Sequence, residues 1–204
     1  MSAKAIKLPP PRLRGDVSVE DAINRRRSIR RFLNEPLTLE EISNLLWSAQ
    51  GITDPRYGFR AAPSAGATYP MEIYLVVKSG GVVDLLPGVY HYHPYEHTIT
   101  KILDGDLSRE LAYACLGQEW VEEAPVNIVI CAIYERTVSR YGERGIRYVH
   151  MEAGHIGENV HLQSVALGLG CVMIGAFYDD EVRKLLKLPK DHQPLYVIPV
   201  GKPR

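Results

Sequence analysis

The chain has 204 residues, enough to bury a sizeable core without a metal or disulfide staple. Its 24 Lys and Arg balance 24 Asp and Glu, which argues against a protein built chiefly to coat nucleic acid or an acidic membrane. Three widely spaced cysteines (Cys115, Cys131, Cys171) form no CxxC and point to a reducing, cytoplasmic setting.

The opening MSAKAIKLPPPRLRG lacks the apolar core of a signal peptide, and no apolar run approaches a membrane span. Residues 1–16 are Pro-rich and basic and predict an extended arm. Ser18 followed by Asp21 signals a helix start, leading into NRRRSIRRF (24–32), where five arginines occupy nine positions. In TLEEISNLLWSAQG, Thr38 and Glu41 form a capping-box pattern and Gly51 is the stop. Leu39, Ile42, Leu45, Leu46 and Ala49 fall on one face of that helix. EIYLVVK (72–78) reads as a strand closed by Gly80 and Gly81, and VYHYHPYEHTITKI as a hairpin with Pro94 in or near its turn.

DLSRELAYACLG (106–117) is helical and PVNIVICAIY (125–134) is a fully buried strand. Residues 145–170 predict a long helix carrying the small residues Ala153, Gly154 and Gly157. Glycine inside a helix costs ~1 kcal/mol relative to alanine, so these positions serve close packing or a ligand. CVMIGAF is a short strand, DDEVRKLLKL an Asp-capped helix and PLYVIPVG a last strand. The expected fold is α+β, one domain over residues 1–204, without internal repeats.

Arginine clusters at this density suit an anion held by its oxygens, since the planar guanidinium pairs bidentately with phosphate or carboxylate. No GxxxxGK[ST] is present, and GLGCVM (168–173) follows a helix and opens a strand, the reverse of the Rossmann order. Glu152-x-x-His155 and Glu158-x-x-His161 have a di-iron spacing, yet they lie on one helix about 240° apart and do not converge. They read as polar or interfacial side chains. His91, His93 and His97 alternate on the hairpin without a Cys or a metal-ligand motif around them, so no metal site is expected. RAAPSAGATYP (60–70) is a run of small residues that lets a flat ring approach main-chain N–H groups. Gly175, at the end of GLGCVMIGAF, offers a backbone N–H to a ligand.

Taken in order, RRSIR, PSAGATYP, the YGERGIRYVHMEAGHIGENVHLQSVALGLG block and IGAF resemble the nitroreductase family of FMN-dependent oxidoreductases, from about residue 18 onward. The likeness is greatest to its SagB-type branch. The resemblance implies a central, mostly antiparallel sheet flanked by helices, in an intertwined homodimer with two FMN sites at the interface. It places Arg26, Arg27, Ser28 and Arg30 on the FMN phosphate, joined by Lys202 and Arg204. Pro63, Ser64, Ala65 and Gly66 would come from the partner subunit and pack on the ring. Gly175 would give its N–H to flavin N5 with Ala176 beside it, and the long helix would form much of the interface, which would account for Ala153, Gly154 and Gly157. Arg60, which precedes the ring-binding segment, is a candidate for the N1/O2 edge.

The sequence departs from the family pattern in two ways. Ala67 and Tyr69 replace the Asn and Gln of a typical nitroreductase pocket, and Arg140-Tyr141 replaces the Lys-Tyr pair of SagB-type azoline dehydrogenases. Tyr141 is therefore the candidate catalytic acid or base. The expected function is hydride transfer from NAD(P)H through FMN to a nitro, quinone or similar acceptor by a ping-pong mechanism. The alternatives are a SagB-type dehydrogenase of a heterocycle or peptide azoline, and a flavin-binding protein without enzymatic activity.

Overall fold

The computed structural model, which describes residues 5–204, contains nine strands, seven α-helices and a 3-10 turn at Ala65–Ala67. The strands are β1 (Ala5–Lys7), β2 (Ile52–Asp54), β3 (Phe59–Arg60), β4 (Met71–Val77), β5 (Gly88–His93), β6 (Thr98–Asp104), β7 (Val126–Ala132), β8 (Gly170–Cys171) and β9 (Gln193–Gly201). The helices are α1 (Val19–Arg25), α2 (Leu39–Gln50), α3 (Ser108–Ala114), α4 (Glu119–Glu123), α5 (Glu135–Tyr141), α6 (Arg144–Ala166) and α7 (Asp179–Leu185). Seven strands form one sheet in the order β1-β6-β5-β4-β7-β9-β8, every pairing antiparallel, and β2-β3 is a separate ribbon. This is the expected α+β architecture.

The central strands are apolar on both faces because both faces are covered. Ile73, Leu75, Ile128 and Ile130 pack with Leu45, Leu46 and Ala49 of α2 and with Val149, Ala153, Ile156 and Val160 of α6. On the opposite face, Tyr74, Val76, Val129 and Cys131 pack with Leu111 and Ala112 of α3 and Val182 of α7. Helix α2 starts as its sequence dictates: Thr38 Oγ1 accepts from Glu41 N–H, and the Glu41 carboxylate accepts from Thr38 N–H at 2.7 Å.

In the N-terminal arm, Ala5–Lys7 are extended as the edge strand β1, paired with β6; residues 1–4 of the arm lie outside the described residues. Several expectations need correction. In CVMIGAF only Cys171 belongs to a strand, with a single further bridge at Ile174. Helix α7 has Tyr178 at its N-cap without a side-chain cap; Asp179, Asp180 and Glu181 instead fill the first turn, where they complement the helix dipole.

The small residues of α6 do not form one outward stripe. Ala153 is 2 % exposed and belongs to the core, and a Cβ on Gly157 would lie 3.2 Å from Met173 Sδ inside the subunit. Gly154 alone faces open space. Gly157→Leu therefore overpacks α6 against Met173 and Tyr196. The expected loss is ~1–3 kcal/mol of stability, read as a lower urea midpoint.

Candidate functional site

Helix α1 is capped by Ser18, whose hydroxyl accepts from Asp21 N–H at 3.1 Å. The chain leaves it at Arg26 in an extended conformation and runs along the sheet edge. Ser28 bridges Cys171 in parallel, and Ile29 N–H donates to the Cys171 carbonyl at 2.9 Å. This approach requires Gly170, where a Cβ would lie 2.7 Å from the Ile29 side chain. On the other flank, Leu33 N–H donates to the Lys202 carbonyl at 2.9 Å and Arg204 N–H to the Arg31 carbonyl at 3.1 Å. The structure thus brings Arg26, Arg27, Ser28 and Arg30 beside Lys202 and Arg204.

Charges at this edge are partly committed. Arg25 pairs with Asp21 at 2.9 Å and Lys202 with Glu35 at 2.7 Å. Arg27 Nη1 donates to its own neighbours' carbonyls, Asn24 at 3.0 Å and Arg26 at 2.6 Å. Arg30 lies over the Trp120 ring at 5.7 Å. Among the described residues Arg26, Arg27, Arg30 and Arg204 have no carboxylate at ion-pair distance. A cavity of about 170 Å³ opens here between Arg25, Arg27, Ile29, His161 and Pro203. His161 is a site residue that the sequence reading passed over as merely polar. It hydrogen-bonds the Arg27 carbonyl at 3.1 Å, and burial holds its pKa below the ordinary histidine value.

The second group is built on Pro63–Gly66. Here Gly66, Ala67 and Tyr69 have φ of 59°, 53° and 44°, a left-handed run that two non-glycine residues enter at a cost. Helix α5 supplies the clamp that holds it. Arg140 Nη1 donates to the Gly66 carbonyl at 2.9 Å, and Arg136 Nη1 to the Tyr69 carbonyl at 3.0 Å. Thr137 shares a 2.8 Å hydrogen bond with Thr68. A Cβ on Gly66 would collide with the Tyr141 hydroxyl. Tyr141 therefore sits against the Pro63–Gly66 segment, and the helix that carries it was not anticipated.

Behind this segment lies a buried polar network. Ser64 Oγ accepts from Tyr69 N–H at 2.9 Å, which leaves the hydroxyl proton free. Gln50 Nε2 donates to Glu152 Oε1 at 3.3 Å, and Arg60 Nη1 donates to Gln50 Oε1 at 3.0 Å. The Arg60 guanidinium is stacked on Tyr69 at 4.6 Å and its buried Nε has no partner. Arg60 thus faces inward.

The two groups do not meet within one chain. Arg27 is tied to α6 at His161, and the network behind Ser64 reaches α6 through Gln50 at Glu152, nine residues away. That separation is about 14 Å along the helix and half a turn around it. Gly175 follows the Ile174 bridge to β9 and is exposed. A Cβ there would meet only Tyr196 at 3.9 Å. The Ala176 carbonyl accepts from Gln118 Nε2 at 2.9 Å. The hairpin histidines take separate partners, His91 with Glu72, His93 with Thr100, and His97 with Ser43 and Tyr92.

The model of the Nitroreductase family matches residues 23–202, a span that includes Arg26–Arg30, Pro63–Gly66, Gly175 and Lys202 but not Arg204. The chain belongs to the nitroreductase family. It is 49% identical over 187 residues to a Methanocaldococcus jannaschii protein that carries the name "Putative nitroreductase MJ1384", covering 92% of each chain. It is 29% identical to the microcin B17-processing protein McbC of Escherichia coli, over 74% of this chain but 57% of that one. Among solved structures, a nitroreductase-like protein from Anabaena variabilis superposes with a TM-score of 0.85 at 31% identity, covering 99% of this chain and 42% of the other. No helix of the described residues is long and apolar enough to cross a membrane.

Within this nitroreductase-family fold, Glu152 is an acid whose pKa is raised. Burial raises its pKa from 4.5 to about 7, against the opposing pull of Ser64, Gln50 and Arg60. A carboxyl with a raised folded pKa contributes its full stability below the unfolded value and loses it as pH rises through the folded one. Wild type should therefore lose stability relative to Glu152→Gln between pH 4.5 and about 7. The relative loss reaches roughly 3 kcal/mol above that window. Urea unfolding of both proteins across this range measures it.

Proposed function

We propose that this chain is an FMN-dependent oxidoreductase that takes hydride from NAD(P)H and passes it to a small acceptor such as a nitro compound or quinone. The two half-reactions alternate at one site. The observation that carries this reading is one phosphate-sized cationic edge, Arg26, Arg27, Ser28 and Arg30 beside Lys202 and Arg204. A phosphomonoester brings nearly two negative charges, and guanidinium forks free of carboxylates match that donor requirement. The sequence has no dinucleotide fingerprint to suggest a larger cofactor. The donor set therefore fits FMN.

FMN when bound would supply the two-electron chemistry, while the protein binds and orients it. Arg26, Arg27, Ser28, Arg30, Lys202 and Arg204 would hold the phosphate. Pro63, Ser64, Ala65 and Gly66 would pack on the ring, fixed by the α5 clamp. Gly175 would present its N–H to the ring with Ala176 beside it, and its exposure leaves that approach open. The whole chain would act as one flavin-binding domain.

The reading includes a homodimer. Support comes from the separation of the arginine and Ser64 groups within one chain, which a shared site would resolve. It also comes from the outward face of α6, where Ile146 and Met151 are 44% and 52% exposed beside Arg147 and His150. The dimer contact is thus assigned to this face and to Gly154, not to Ala153 or Gly157.

A second reading, a SagB-type dehydrogenase of a heterocycle or peptide azoline, is favoured by one observation. The Tyr141 hydroxyl lies against Gly66, at the ring-packing segment, where it could act as acid or base. The likeness to McbC accords with this.

Purified protein should be yellow, and heat should release FMN. Recovery of FAD, or of no flavin after reconstitution, overturns the cofactor. Arg27→Ala should weaken FMN binding roughly tenfold to a hundredfold, since a charge-assisted contact is worth about 1.5–3 kcal/mol. Its turnover at saturating FMN should change little.

Tyr141→Phe should behave in the opposite way. FMN stays bound while stopped-flow reoxidation by the acceptor slows, the pattern of a lost pocket acid. Equal rates for the two proteins would remove Tyr141 from the chemistry.

A further inference from the structure

Glu152 is a carboxyl group 2 % exposed, and among the described residues no cation lies at ion-pair distance from it. Its hydrogen-bond partner is Gln50 from α2, which joins it through Arg60, stacked on Tyr69 at 4.6 Å, to the Ser64 segment leading into β4. Arg60 does not reach it directly, because its Nη1 is bonded to Gln50 Oε1 at 3.0 Å. Ser64 is the link outward: its Oγ is oriented by Tyr69 N–H at 2.9 Å, and it stands in the segment held by Arg136 and Arg140. Such a group can be neither a surface charge nor one half of a fixed ion pair. Its carboxyl is therefore free to change protonation state when the charge of the site changes.

We propose that Glu152 is the charge-balancing proton site of the redox centre, taking up a proton when electrons enter and releasing it when they leave. The inference rests on the FMN reading, because the charge it answers is the one added to a ring packed on Ser64. Two electrons and one proton reduce the cofactor to its anionic form. The negative charge gained there stabilises the protonated carboxyl, so a Glu152 carboxylate binds one further proton from solvent. Reoxidation by the acceptor reverses both steps, and protons and electrons balance over the cycle. Starting from a carboxyl poised near neutrality, even a modest added charge shifts its occupancy. Arg60, fixed behind Gln50, limits the penalty of the carboxylate in the oxidised state.

The test is an anaerobic potentiometric titration of the FMN-loaded protein from pH 6 to 9. Above pH 7 the wild-type slope should approach two protons per two electrons, and Glu152→Gln should give one. Glu152→Asp, which keeps the acid, should restore the steeper slope. A carboxylic C=O band that titrates near neutrality in flavin-free wild type and is missing from Glu152→Gln would place the proton on this residue. FMN uptake with a one-proton slope in wild type overturns the role of Glu152 and leaves the FMN reading intact; it does so even if the Gln variant fails to fold. Failure of wild type to take up FMN overturns both.

Discussion

The burial of one face of α6 against the sheet is the constraint on which the rest depends. Val149, Ala153, Ile156 and Val160 are pressed onto Ile73, Leu75, Ile128 and Ile130, and all eight are almost wholly removed from solvent. Apolar burial at roughly 25 cal/mol per Å² makes this the dominant local term. It also fixes where the polar residues of the same helix must go. Glu152 precedes Ala153 and points to Gln50, while His161 follows Val160 and points to Arg27. One packing decision thus determines the positions of both candidate half-sites.

Each half-site is then kept from relaxing by a different device. The arginine segment is laced by backbone hydrogen bonds to β8 on one side and to residues 202–204 on the other. Among the described residues only Asp21, on Arg25, pairs with its guanidinium groups, and Glu35 takes the neighbouring Lys202. The Ser64 segment has little backbone pairing of its own, and its left-handed residues are intrinsically unfavourable. Side chains of α5 compensate by binding its carbonyls. A backbone-laced cation edge suits an anion that must be anchored, whereas a side-chain-clamped turn suits a surface whose shape must be held.

The sequence disclosed those features that depend on local chemistry. The Ser18 and Thr38 caps, the hairpin around Pro94 and the apolar β7 are all determined by residues a few positions apart. The arginine cluster and PSAGATYP were legible for the same reason. Helix α5 was not, because ERTVSRY carries too few apolar residues to show a helical period. Gly157 was misassigned because a small residue permits close approach without saying what approaches; Met173 and Tyr196 do. Glu152 was visible in its ExxH spacing, but burial and the company of Gln50 and Ser64 arise only when distant segments meet.

Two carboxylates of this fold show how such company decides role. Glu72 is also largely buried, and burial alone would raise its pKa. The His91 ring at 2.6 Å and the Arg136 guanidinium at 2.6 Å outweigh that, holding it down at about 2. It is therefore an ionised strut, and its partner Arg136 is the same residue that grips the Tyr69 carbonyl. Glu152 lacks any such cation, so burial wins and its pKa rises to about 7. Environments that drive two acids apart in this way separate a permanent charge from an exchangeable proton. In this molecule the permanent charge steadies the clamp, and the exchangeable proton lies behind the surface the clamp holds.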